Sequence, residues 1–236
     1  MTSSRLPGKV MMEAGGKPLL QILLERLKRA SSLDAIVVAT TGNATEDPIQ
    51  ELCDRLRVGC FRGSEENVLE RVCGAGQAFG ADTIVEITGD CPLLDPWQVD
   101  HAVEFFETFQ HATRYVSNGS PGGNAPEGMV VQVFKARDLY AILEDHPDEE
   151  EKEHVSYRFY REGNGDRYRP RFINYDPPLG RPDIWVTLDY LEDYQLLKAL
   201  YEDCSARNGN FGMREVIDWI DRHPDLHRAC KKRRDL

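Results

Sequence analysis

The sequence predicts an α/β fold with a mostly parallel sheet. Leucine-rich stretches at helical spacing alternate with short β-branched runs, and the helical stretches are roughly ten to fifteen residues long, the signature of βαβ units. The chain has 236 residues, 41% of them hydrophobic, so it can bury a full-sized core without disulfide or metal staples.

The elements follow in order. Leu19, Leu20, Leu23, Leu24 and Leu27 recur at helical spacing behind Pro18, which suits a first helical turn, so 18–30 is predicted helical. The run 35–40, Ala-Ile-Val-Val-Ala-Thr, is a buried strand. A helix over 47–57, a short strand at Cys60 and Phe61, a helix over 67–79 and a strand over 83–88 continue the alternation. Pro96 opens a helix carrying Val99, Val103 and Phe106. After about residue 110 the regularity breaks, and 117–124, Ser-Asn-Gly-Ser-Pro-Gly-Gly-Asn, is a loop of turn residues. Strands are expected at 129–134, 171–175 and 184–187, and helices at 136–143, 191–204 and 213–222. The charged run 148–153 reads as a solvated face. The tail 228–236 is basic but short. No internal repeat and no long linker divides the chain.

Lys and Arg number 29 against 40 Asp and Glu, a net charge of −11. This argues against a general nucleic-acid or anionic-membrane binder, so a polyphosphate ligand would need a local basic cluster. The six cysteines are scattered with no Cys-x-x-Cys pair, and neither an apolar leader region nor a membrane-length apolar run is present. These features predict a reduced, cytoplasmic protein.

Three places carry chemistry. Ser3, Ser4, Arg5, Pro7, Gly8 and Lys9 combine hydroxyls, a turn and two cations, with Gly15-Gly-Lys17 close behind. Such a segment suits either a phosphate-binding loop or a flexible basic N-terminus, and it has neither the P-loop nor the dinucleotide-fold glycine spacing. Asp90, in Thr88-Gly-Asp-Cys-Pro-Leu-Leu94, follows a strand where open α/β sheets bind ligands; it suits a Mg²⁺ ligand or a simple turn. Asp189 stands between a short apolar run and a helix, as a second metal carboxylate or a helix cap. Mg²⁺ typically takes one or two protein carboxylates together with substrate phosphates.

With these residues in view, the chain resembles cytidylyltransferases of the spore-coat polysaccharide and acylneuraminate type. The resemblance rests on Ser3-Ser-Arg-Leu-Pro-Gly-Lys9 with Gly16-Lys-Pro-Leu19, Arg62-Gly-Ser-Glu-Glu-Asn-Val-Leu-Glu-Arg71, Thr88-Gly-Asp-Cys-Pro-Leu93, Glu153-His-Val155 and 186–193, in the family's order. It implies a nucleotide-diphospho-sugar transferase fold: a three-layer, Rossmann-like domain over 1–227 with a β-arm insertion at about 112–183 that often makes a homodimer. The implied reaction transfers CMP from CTP to a sugar of the ulosonic or nonulosonic acid type and releases pyrophosphate. By resemblance, Arg5, Lys9 and Lys17 would hold the triphosphate, Ser3 and Ser4 would add loop contacts, and Asp90 and Asp189 would hold Mg²⁺. Arg62 would contact phosphate or steer the base, and His154 and Gln132 would face the sugar.

The chain departs from the family in three ways. It begins inside the opening loop, so the fold is expected to lack its first strand. Val130 and Gln132 stand where relatives carry acids, which removes metal-binding and base capacity there. Asn67 stands where relatives commonly have Asp. The competing readings are a sugar-1-phosphate nucleotidyltransferase using another NTP and a catalytically impaired nucleotide-binding homologue. A glycosyltransferase is disfavoured because the chain has no Asp-x-Asp.

Overall fold

The computed structural model describes residue 3 and residues 5–234, with side chains through residue 231. The chain opens with a hairpin, β1 (Glu13–Ala14) and β2 (Lys17–Pro18), that the sequence reading did not anticipate. Gly15 and Gly16 form its turn with φ of 56° and 73°, the left-handed pair a tight two-residue hairpin demands. Then come α1 (Leu19–Leu27), β3 (Val37–Thr41), α2 (Asp47–Leu56), β4 (Gly59–Gly63), α3 (Val68–Ala78), β5 (Thr83–Glu86) and α4 (Pro96–Phe109), each where periodicity predicts it. Asn67 is the cap of α3: its side-chain oxygen accepts the Glu70 amide at 2.9 Å. Asn and Asp cap comparably, so this departure is conservative.

The second half comprises β6 (Tyr115–Ser117), β7 (Gln132–Lys135), α5 (Ala136–Glu144), α6 (Glu149–Glu153), α7 (Tyr157–Tyr160), α8 (Gly165–Tyr168), β8 (Arg171–Phe172), α9 (Leu191–Arg207), α10 (Met213–Arg222) and α11 (Pro224–Arg234). β3 and β4 pair in parallel. The other sheet runs β5-β7-β6-β8, antiparallel except for β6 with β8. The sheets are therefore mixed rather than mostly parallel, because β7 enters between β5 and β6 without a crossover helix of its own. No described strand links the two sheets, and β3 and β5 each pair on one side only. Within the expected insertion, 112–183, β6, β7 and β8 lie in the sheet with β5.

Alternation along the strands builds three layers. Val85, Val133 and Val116 face one core with α1, α4, α9 and α10; Ile84, Phe134 and Tyr115 face a second core with α3, α5, Phe159 and Tyr168. Arg26 of α1 is buried in the first core, donating from Nε to the Leu94 carbonyl at 2.9 Å and from a terminal nitrogen to the Phe211 carbonyl at 3.0 Å.

Three further expectations need correction. The stretch 184–187 makes only an isolated bridge, Glu127 with Trp185, because the backbone has no neighbouring strand to extend a ladder. The charged run 148–153 is a solvated face except at Glu151: Asp148, Glu149, Glu150 and Glu153 are exposed. Asp148 caps α6, and Glu151 is buried against Arg158 and Arg161, accepting from Arg158 Nε at 2.7 Å. Residues 228–234 belong to α11, which starts at Pro224, a first-turn residue rather than a stop, and buries Cys230.

Candidate active site

The opening loop folds back on itself. Ser3 Oγ accepts the Leu6 amide at 3.4 Å, Lys9 N donates to the Leu6 carbonyl, and Gly8, at φ 70°, starts a single 3₁₀ turn over Lys9–Met11. Arg5 and Lys9 thereby project toward two loops that lie far apart in sequence. Asp90 follows β5, and its carbonyl accepts the Leu188 amide at 2.9 Å, tying its loop to the segment before α9. Asp189 is oriented from below, since its own amide and that of Tyr190 both donate to Asp193 Oδ2 at 2.9 Å.

The four charged residues meet. Lys9 Nζ lies 2.8 Å from Asp90 Oδ2 and 3.1 Å from Asp189 Oδ1, and Arg5 donates to the same Asp189 oxygen at 2.7 Å. Lys9 and Asp189 are largely shielded, whereas half of the Arg5 side chain is exposed. Arg5 also lies over the Tyr190 ring, 5.5 Å from its centre. Burial works against the guanidinium charge, but Asp189 and a hydrogen bond with Tyr190 outweigh it and raise the Arg5 pKa. The cluster is charge-balanced, and Asp90 and Asp189 are the residues that would hold a divalent cation of the kind that takes one or two protein carboxylates together with phosphates and water.

The other expected residues are distributed differently. Lys17 Nζ pairs with Glu25 of α1 at 2.7 Å on the exposed surface, not with Asp90 or Asp189. Arg62 is spent on structure: it donates to the Thr41 and Asn43 carbonyls and to Asp47 Oδ1 at 2.6 Å, clamping the turn between β3 and α2. Ser4 lies outside the described residues. His154 is exposed at the end of α6. Gln132 sits nearby on β7, its Oε1 accepting from Tyr115 Oη at 2.6 Å and from Ser156 Oγ at 2.5 Å. Val130 packs at Gly119, where an added Cβ would come within 2.6 Å of it. Sequence reasoning missed Asp193, Tyr190, Tyr115 and Ser156. Of these only Asp193 left a signal, an acid at the third position of α9 where it can reach back to the helix start.

The sequence profile of a family described as cytidylyltransferase matches residues 1–222. The chain belongs to the cytidylyltransferase family. This membership makes it a nucleotidyltransferase. Its relatives include the spore coat polysaccharide biosynthesis protein SpsF of Bacillus subtilis, 31% identical over 230 residues, covering 95% of this chain and 92% of that protein. An uncharacterized protein of Methanocaldococcus jannaschii is 34% identical over 224 residues, covering 95% and 88%. Among solved structures, a cytidylyltransferase from Leptospira borgpetersenii serovar Hardjo-bovis superposes with a TM-score of 0.85 at 28% identity, covering 96% of this chain and 92% of that one. A CMP:2-keto-3-deoxy-manno-octonic acid synthetase complexed with CTP shares the fold, with a TM-score of 0.60 at 16% identity over 84% and 93%.

Proposed function

We propose that this cytidylyltransferase is Mg²⁺-dependent and transfers CMP from CTP to an acidic or modified sugar, releasing pyrophosphate, for the synthesis of a surface polysaccharide. The observation that carries this reading is the cluster of Arg5, Lys9, Asp90 and Asp189. Transfer of a nucleotidyl group requires an attacking hydroxyl oxygen in line with the α-phosphorus and neutralisation of the charge that gathers on the departing pyrophosphate. Arg5 and Lys9 would supply that neutralisation. Asp90 and Asp189 would hold the Mg²⁺, which when bound adds further positive charge at the phosphates. By resemblance Lys17 would join them, which requires it to leave Glu25, a half-exposed ion pair that contributes only about 0–1 kcal/mol.

The sugar class is supported by relatives: a spore coat polysaccharide biosynthesis protein, 3-deoxy-manno-octulosonate cytidylyltransferases and an 8-amino-3,8-dideoxy-manno-octulosonate cytidylyltransferase are all similar to this chain. A cytoplasmic location accords with six free thiols, and no helix among the described residues is long and apolar enough to cross a membrane. A homodimer is proposed from family resemblance. The decisive assay is pyrophosphate release from CTP, Mg²⁺ and a panel of ulosonic acids. Turnover with CTP over the other three NTPs supports the reading. Absence of turnover, together with no stabilisation by CTP, overturns it.

A further inference from the structure

The end of β5 carries a residue for which the triphosphate cluster has no use. Glu86 is directly opposite Gln132 on β7, and Gln132 is directly opposite Ser117 on β6. Directly opposed residues share a face, so Glu86, Gln132 and Ser117 form one polar rung across three strands. The preceding rung on that face, Ile84, Phe134 and Tyr115, belongs to the second hydrophobic core. The polar rung is thus the last before the loop that carries Asp90, four residues beyond Glu86 and at most about 14 Å along the backbone. Over it lies the segment 154–160, which carries His154 and Ser156.

Within this rung the hydrogen bonds are unevenly shared. Gln132 Oε1 accepts from both Tyr115 and Ser156, using both of its lone pairs. Glu86 Oε2, shielded from solvent, has no hydrogen-bond partner among the described residues. Ser156 Oγ has one proton to give, and it goes to Gln132 rather than to the Glu86 carboxyl. Burial pushes the Glu86 pKa up to about 7. A shielded acceptor atom without a donor costs stability and persists where something else completes it.

We propose that Glu86 is a specificity residue of the sugar-acceptor subsite, its free oxygen accepting a hydrogen bond from a hydroxyl or amino group of the acceptor. This rests on the cytidylyltransferase reading above, because it takes the Gln132–Ser156–His154 side of the cleft as the acceptor side. A hydroxyl donor and an ammonium donor share the chemistry, and paired probes separate them.

The test uses 3-deoxy-manno-octulosonate and its 8-amino-8-deoxy analogue with CTP and Mg²⁺. In E86Q, which preserves shape, the acceptor KM is expected to rise about tenfold or more, the equivalent of one hydrogen bond to a charged group, while the CTP KM stays within about twofold. A larger loss with the amino sugar assigns an ammonium donor; equal losses assign a hydroxyl. An unchanged acceptor KM, or an equal rise in both KM values, overturns the proposal. A second readout needs neither a variant nor turnover: the carboxyl ¹³C resonance of Glu86 in the wild-type protein with CTP bound should move when either sugar is added. A resonance unmoved by both sugars overturns the proposal. Failure of pyrophosphate release with every acceptor while that resonance moves overturns the catalytic reading instead.

Discussion

The Lys9 ammonium joins Asp90 to Asp189, lying 2.8 Å from an oxygen of one and 3.1 Å from an oxygen of the other. One side chain of the opening loop thus holds together two carboxylates carried after β5 and before α9. On the proposed function, its removal is expected to act on the reaction. K9M is expected to lower kcat/KM for CTP by about a hundredfold or more, as for loss of one charge-stabilising group. D90N and D189N should each raise the Mg²⁺ concentration needed for half-maximal rate. Steady-state pyrophosphate release across a Mg²⁺ series measures all three, and Mg²⁺ curves that superpose with the wild type would remove the two carboxylates from the metal role.

Glu86 gives a pH signature. An unfolded glutamate titrates near about 4.3, whereas burial holds the folded carboxyl at about 7. Between these values the folded chain keeps a proton that the unfolded chain has lost, so this group makes stability fall as pH rises, with the full penalty above about 7. E86Q should therefore be more stable than the wild type by about 1–3 kcal/mol at pH 8 and nearly equal to it at pH 4. Denaturant titrations of both proteins at the two pH values check this; a constant difference would refute it.

Glu151 has the opposite sign. Hydrogen bonding from Arg158 holds its carboxyl below the usual range. The unfolded chain takes up its proton first, so the stabilisation is complete above the ordinary glutamate value and is lost as pH falls below it. E151Q takes one of two carboxylate partners from Arg158, whose side chain is 11% exposed and keeps Asp145 at 2.9 Å, and is expected to cost about 1–3 kcal/mol at pH 7. Its melting temperature should also depend less steeply on pH between about 3 and 5 than that of the wild type.

Arg26 tests the first core. Burial lowers its pKa to about 10, so it remains protonated at neutral pH while its guanidinium lies over the Phe211 ring at 4.3 Å. R26M keeps most of the volume but leaves the Leu94 and Phe211 carbonyls without their donor, an expected loss of about 2–4 kcal/mol by urea denaturation. A midpoint equal to the wild type would show that water replaces the donor.

Amide exchange should follow the sheet topology. β7 is paired on both sides, whereas β3 is paired only with β4. Amides of Val133 and Phe134 are expected to exchange at least about tenfold more slowly than those of Val38 and Thr40, because an edge opens without breaking a second ladder. Mass-resolved exchange of peptides covering the two strands measures the ratio.

Local signals gave most of the helices. Leucine spacing, Pro18 and Pro96 announce α1 and α4, and the bounds of α10 are those that periodicity predicts. Asp90 and Asp189 stood out because each follows an apolar run that reads as a strand, but a turn or a helix cap is as ordinary a use there, and nothing local announced that Lys9 pairs with both. β7's antiparallel entry was not legible, since period-two alternation carries no direction. Arg62 misled for a related reason: a cation in a matching motif looks alike whether it faces a ligand or, as here, the carbonyls of Thr41 and Asn43. The burial of Glu151 was hidden within an acidic run whose partners, Arg158 and Arg161, follow on the next helix and just beyond it.

Tyr115 stands in two neighbourhoods at once. Its ring stacks on Phe159 and Phe134 in the second core, with centroids 5.5 and 6.4 Å away, while its hydroxyl fixes Gln132. On the proposed acceptor role of the Gln132 rung, packing and recognition draw on one side chain. A lineage that changes its acceptor by altering the Gln132 rung must keep an aromatic ring of the same size at 115, so drift at this end of the cleft is confined to exchanges such as Tyr115→Phe that free the amide without hollowing the core.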